Sequence, residues 1–225
     1  MRHFGSPRVV LTDAVVVILL ATTACGAANT ADRADTSTRT KPFAGYVRTP
    51  PLQVAGVSLP TVDGTVVGMA AKPGGFRLVY FGYTFCPDVC PTTMATVREA
   101  LRTLPEADRS RIDVAMVTID PARDTAEDLS AYLTTFVADG IAMRTDDQEL
   151  LRAATAAFGA DYRITTIPDG DPEVSHTGDV YAVDEEGEVV IAWPFGIAVK
   201  PLRGDLIRLL DGDRPSSDPT TGENT

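Results

Sequence analysis

Between residues 57 and 210 the spacing of apolar positions switches repeatedly between two periods. Residues 57–59 and 65–67 alternate around Asp63-Gly64, a dipeptide that favours a tight hairpin turn. The run Phe76-Arg77-Leu78-Val79-Tyr80-Phe81 predicts a strand, followed by a loop at 82–85 and a helix through about Leu104. Residues 112–119 are almost continuously apolar, as in a parallel strand covered on both faces. Leu129, Tyr132, Leu133 and Phe136 then recur at helical spacing within 124–137. A short strand at 141–144 and a helix at 147–158 follow. Residues 180–183 and 189–193 flank Glu185-Glu186-Gly187 as a second hairpin, and 202–210 close the pattern as a helix.

Strands alternating with helices and ending in an antiparallel pair imply an α/β domain, a mixed central sheet flanked by helices. This order is similar to a thioredoxin-like fold with an added N-terminal β-hairpin, and it places the domain at 52–210. The periodicity stops on either side. Residues 25–51 are rich in Ala, Thr, Asp and Gly and predict a flexible tether. By the same criterion 211–225 predict a disordered tail. Residues 1–24 read as a signal peptide: Arg2 and Arg8 precede an apolar run at 14–21 that is too short to span a bilayer. The small residues ahead of Cys25 resemble a bacterial lipobox, with Thr22 where Leu is usual. Cys25 is therefore the expected lipidation site of a lipoprotein held on the outer face of the cell membrane, a compartment that permits disulfides.

Charge narrows the partners. The 225-residue chain is 44% hydrophobic and 23% charged, with a net charge of −11 and no basic run. Such a surface repels phosphate backbones, which excludes nucleic acid, and it leaves a lipid anchor as the means of membrane attachment.

The chemistry concentrates at Cys86-Pro87-Asp88-Val89-Cys90-Pro91, where a buried strand hands over to a helix. Helix N-termini favour negative charge, so a thiolate is stabilised there. Pro87 suits a first helical turn, whereas Pro91 is expected to loosen the turn carrying the cysteines. With three residues between them, sulfurs on a helical turn would stack at i and i+4, about 5–6 Å apart between Cβ atoms. A disulfide would need local deformation, while two open thiolates could straddle a soft ion such as Cu(I) or Zn. A purely structural disulfide would close too small a loop to stabilise the fold much.

His3 leaves with the signal, so His176 is the one imidazole left. It lies ahead of the second hairpin, in a segment read as a loop. In a thioredoxin-like arrangement that loop packs beside the cysteines. Cys86, Cys90 and His176 would then form a three-coordinate site suited to Cu(I) and able to hold Cu(II), with zinc lacking a fourth ligand. Asp88 reads as a helix-start residue and Met69, Met94, Met116 and Met143 as core. Tyr83, Phe85 and Phe195 are expected to wall the site, and residues 120–125 to end a strand and cap a helix.

Residues 81–93, then Asp120-Pro121 with Arg123-Asp124-Thr125, then His176 ahead of Val180-Tyr181, resemble the Sco/SenC family from about 57 to 210. The resemblance implies a membrane-anchored copper chaperone whose copper ligands are Cys86, Cys90 and His176. The recipient it implies is the copper-bearing subunit of cytochrome c oxidase, with a copper donor or thiol reductant upstream. Ser175 departs from the family's usual Asp before the His, which leaves open what orients the imidazole. The rival reading is an enzyme, an extracytoplasmic thiol-disulfide oxidoreductase using the redox-active pair Cys86 and Cys90. A peroxidase fits less well, since Thr84 stands in Thr-x-Cys spacing. Copper needs His176; dithiol exchange does not.

Overall fold

The computed structural model describes residues 41–168 and 170–215. The signal peptide, Cys25 and residues 26–40 of the tether lie outside the described residues, as do 216–225 of the tail.

The apolar run at 76–81 becomes β4 (Phe76–Gly82), buried along its whole length. It pairs in parallel with β5 (Ile112–Thr118), from Phe76↔Ile112 to Gly82↔Thr118, and β5 pairs in parallel with β6 (Ile141–Met143). On its other side β4 meets β9 (Val180–Val183), antiparallel to β10 (Glu188–Trp193), which takes β1 (Leu52–Gln53) at the edge. The six-stranded mixed sheet thus runs β1-β10-β9-β4-β5-β6. A central strand with neighbours on both edges and covered faces is expected to be apolar, and β4 is except at Arg77, whose guanidinium donates to the Gly68 carbonyl and pairs with Asp113 at 3.6 Å. The predicted N-terminal hairpin is present as β2 (Ser58–Pro60) and β3 (Val66–Gly68), turning at Gly64 with φ +86°.

Helix α1 (Val89–Arg102) directs Cys90, Met94, Val97 and Leu101 inward at helical spacing, and it packs against α5 (Val199–Leu210). Between them in sequence come the short α2 (Glu106–Arg109), then α3 (Ala126–Thr134) and α4 (Gln148–Ala157). Thr125 and Asp147 cap the last two with side-chain oxygens, each offsetting a backbone N–H that would otherwise lack a partner. All four methionines outside the signal are buried, as expected of core residues.

Two boundaries differ from the expectation. The tether predicted to reach residue 51 is structured from at least residue 43. The backbone N–H groups of Ala44 and Gly45 donate to Asp205 of α5 at 2.9 and 3.0 Å, and the Trp193 indole donates to the same carboxylate oxygen at 2.8 Å. Tyr46 then bridges Ala192. Backbone pairing and one buried carboxylate hold this segment, and neither leaves a hydrophobic period. At the other end Gly212 takes φ +94° and donates to Leu209, while Asp213 pairs with Arg208 at 3.0 Å. The chain therefore stays attached past residue 211 by an ordinary helix stop.

A third element was not expected at all. β7 (Tyr162–Thr165) and β8 (Glu173–His176) form a two-stranded ribbon in which Tyr162 pairs with His176. His176 ends a strand; it is not in a loop.

Candidate metal centre

Parallel pairing brings the C-terminal ends of β4 and β5 side by side, and the loops leaving them build the site. Ile119 donates to the Gly82 carbonyl at 2.9 Å. Asp124, fully buried, accepts both the backbone N–H of Thr84 at 3.1 Å and the Thr84 hydroxyl, together with the Thr118 hydroxyl. One carboxylate thereby fastens the loop leading into Cys86 to the end of β5. Arg123 pairs with Asp120 and lies over the rings of Tyr83 and Phe85, 5.7 and 5.1 Å from their centroids. Residues 120–125 do end a strand and cap a helix. Asp124 adds a role that the sequence reading missed, since nothing in a lone Asp ahead of a Thr cap reveals which loop it will grip.

The cysteines are not stacked on one helical turn. Cys86 lies three residues ahead of α1, and its sulfur accepts the Cys90 backbone N–H at 3.3 Å. No acidic residue occupies the first turn, and Asp88 at the N-cap makes no side-chain cap; its carboxylate instead accepts from the Thr92 hydroxyl at 3.2 Å. The Cys86 sulfur therefore takes a place at the helix end that a capping oxygen would fill. Pro87 falls outside the helix, and it is Pro91 that sits in the first turn. An N–H there would have no intrahelical partner anyway, so Pro91 loosens nothing.

Cys90 faces inward and is fully buried, whereas Cys86 is 8% exposed; both are free thiols. Burial pushes the Cys90 thiol up to about 12, against a smaller lowering by the Tyr80 hydroxyl and the Tyr83 backbone. Cys90 thus stays protonated until something takes its proton.

His176 Nε2 lies 3.7 Å from Cys90 Sγ, and Nδ1 is 3.0 Å from the carbonyl of Thr177. Donation from Nδ1–H to that carbonyl leaves the Nε2 lone pair turned toward the sulfurs. Thr177's own backbone therefore orients the ring, which answers the question raised by Ser175. Burial depresses the imidazole's pKa, outweighing the backbone carbonyls of Thr177 and Phe81, and so keeps it neutral. Tyr80 and Tyr83 pack edge-on to the ring at 6.2 and 5.9 Å. Tyr83 walls the site as expected, whereas the Phe85 and Phe195 side chains are exposed.

Ligand atoms of Cys86, Cys90 and His176 all lie within 4.8 Å of one another, the three-residue cluster of metal-ligand type among the described residues. Two sulfurs and a neutral imidazole nitrogen fit a soft ion such as Cu(I) and offer nothing to a hard one.

A thioredoxin-like domain carrying two cysteines at a helix start and a histidine before the hairpin defines the class. The chain belongs to the SCO1/SenC family, whose model matches residues 54–211. It is 33% identical over 141 residues to a Stutzerimonas stutzeri protein named for copper binding, across 63% of this chain and 69% of that one. The solution structure of apo Sco1 from Thermus thermophilus aligns with a TM-score of 0.66 at 28% identity, covering 76% of this chain and 99% of that one. Bradyrhizobium japonicum ScoI, solved with copper bound, aligns with a TM-score of 0.58 at 27% identity over 70% and 96%.

Proposed function

We propose that this chain is an exported copper carrier. It holds one copper ion, as Cu(I) and in a second state Cu(II), on Cys86, Cys90 and His176, and delivers it to the copper-bearing subunit of cytochrome c oxidase. The observation that carries the reading is the convergence of two free thiols and an oriented neutral imidazole within 4.8 Å. Copper-bound and copper-named relatives support the choice of metal.

Transfer proceeds by ligand exchange. An incoming thiolate of the recipient bonds to copper as the bond to Cys86, the more accessible sulfur, breaks; Cys86 then takes up a proton. Cys90 and His176 let go afterwards as further recipient ligands bond to copper, Cys90 taking up a second proton. No electron moves. Cys25 carries the lipid anchor in this reading, which would hold the domain on the outer membrane face beside a membrane-embedded recipient.

One observation favours a second reading. The Cys90 N–H donated into Cys86 Sγ also suits a nucleophile: Cys86 would attack a partner disulfide and release one partner sulfur, and Cys90 would then attack Cys86 Sγ and release the other, leaving the pair oxidised and the partner reduced to two thiols. Metal stoichiometry on the reduced, anaerobic protein separates the two when followed by an insulin-reduction assay. The carrier reading predicts one copper per chain, abolished by alkylating both thiols, with negligible reductase activity. Reductase turnover without stoichiometric copper would overturn it in favour of the oxidoreductase.

A further inference from the structure

His176 reaches the metal centre from a ribbon that forms its own two-stranded sheet, so the six-stranded sheet does not by itself set where the imidazole stands. The ribbon's two roots lie together. The Thr177 N–H donates to the Asp161 carbonyl at 3.0 Å, and the Asp161 N–H donates to the Thr177 hydroxyl at 3.1 Å. Thr177 is also the residue whose carbonyl orients the imidazole through Nδ1, so whatever fixes these roots fixes the ring.

One short stretch of chain ahead of β1 grips both roots. Tyr46 exchanges backbone hydrogen bonds with Ala192 of β10 at 2.8 and 2.9 Å. Gly45 lies so near the same strand that a Cβ there would stand 2.7 Å from the Ala192 carbonyl oxygen and from the Trp193 ring. Any side chain at this position would lift the stretch away. From that seat two side chains reach outward. The Tyr46 hydroxyl donates to the carboxylate of Asp179, two residues beyond Thr177. The Arg48 guanidinium donates to the Gly159 carbonyl at 3.2 Å, two residues ahead of Asp161. Burial first, and the Asp179 carboxylate next, push the Tyr46 phenol up to about 12, so it remains a donor at neutral pH. Neither bond belongs to the core: Tyr46 is 38% exposed and Asp179 half-buried. Removing them therefore costs the fold little, and their consequence lies in what they hold.

We propose that Tyr46 and Arg48 brace the His176 ribbon against β10 and so act as positioning residues for the imidazole. Tyr46 works through Asp179 and the Thr177 peptide, Arg48 through Gly159 and Asp161. The cysteines need no such brace, because β4, α1 and the Asp124 carboxylate seat them. This role rests on the reading of Cys86, Cys90 and His176 as a metal centre, and it is indifferent to which soft ion is held.

The test uses Tyr46→Phe and Asp179→Ala, which remove the two ends of one hydrogen bond, each made in the full chain with His176 kept and with His176→Ala. Gln53→Ala is the control, since it removes an exposed side-chain bond of 3.0 Å to Glu188 and leaves the ribbon untouched. Amide hydrogen exchange is read at 162–165 and 173–177 in the metal-free chain, and affinity for Cu(I) and, separately, Cd(II) by chelator competition. Both variants are expected to speed exchange in the ribbon about fivefold and to weaken both ions about fivefold. The affinity loss should vanish in the His176→Ala background, because the brace acts only through the imidazole. Combining Tyr46→Phe with Asp179→Ala should add nothing to either alone, and Gln53→Ala should change neither quantity. Should Asp179→Ala fail to fold, Tyr46→Phe carries the comparison. Unchanged exchange, unchanged affinity, or a loss as large without the imidazole as with it would overturn the brace. An unaltered chain that takes up no copper would instead overturn the function proposed above, with the exchange rates and the Cd(II) cycle still deciding the brace.

Discussion

The two sides of the metal centre are built differently. Cys86 and Cys90 sit at the junction of the fully buried β4 and its following helix, with Asp124 fastening the approach loop. His176 ends a ribbon whose residues are mostly exposed or half-buried, paired only to one another outside the main sheet. One side is fixed by the core and the other reaches in from the surface. The sulfur pair is thus preset by the core, and the imidazole is presented by a ribbon outside the main sheet. Proton chemistry divides the same way. Burial holds Cys90 as a thiol that must lose a proton to bind metal, while it keeps His176 neutral and ready to coordinate.

The sharpest way to break this contrast is at Asp124. Asp124→Ala leaves the Thr84 N–H, the Thr84 hydroxyl and the Thr118 hydroxyl without their acceptor, a loss of about 3 kcal/mol in stability measured by chemical denaturation. Metal affinity should fall with it, because the cysteine turn is no longer preset. A loss below about 0.5 kcal/mol, the range of ordinary surface substitutions, would mean that the loop is held by something else.

Proton competition separates the two sides by a smaller amount. Since the Cys90 thiol is pushed up to about 12, every ion bound at lower pH displaces its proton, and affinity should rise about tenfold per pH unit from this group alone between pH 7 and 9. His176, with its pKa lowered, is already neutral there and adds no slope. The sign for the metal-free fold is consistent. A raised Cys90 value stabilises below its ordinary value of 9.0 and that contribution is lost as pH climbs toward 12. His176 works oppositely: its contribution is present above the ordinary value of 6.5 and is lost as pH falls through the depressed one. A flat affinity between pH 7 and 9 would contradict the buried, protonated Cys90.

The same division explains what could be read from sequence. β4, β5 and the second hairpin were legible because buried strands are apolar over most of their length, with Arg77 and Asp113 the exceptions in β4 and β5, and the cysteine pair because it lies in one short stretch. His176 was legible by elimination, since no other imidazole remains after the signal. Its strand was not: β7 and β8 carry no apolar alternation, being covered on neither face for most of their length. β1 is only two residues long, and residues 43–46 are held through backbone groups that any side chains could accompany. Asp124 acts through contacts between elements distant in sequence, which no local pattern encodes. A helix-start placement was foreseen for the motif as a whole, whereas packing gives the place beside the first turn to Cys86 and buries Cys90 in the core.

X-ray absorption on the anaerobic Cu(I)-loaded protein, beside its His176→Ala variant, tests the three-ligand centre most directly. The account predicts two sulfur scatterers and one nitrogen in the unaltered protein, and loss of the nitrogen with both sulfurs kept in the variant. Identical spectra from the two proteins, or a shell of sulfur alone in the unaltered one, would contradict it.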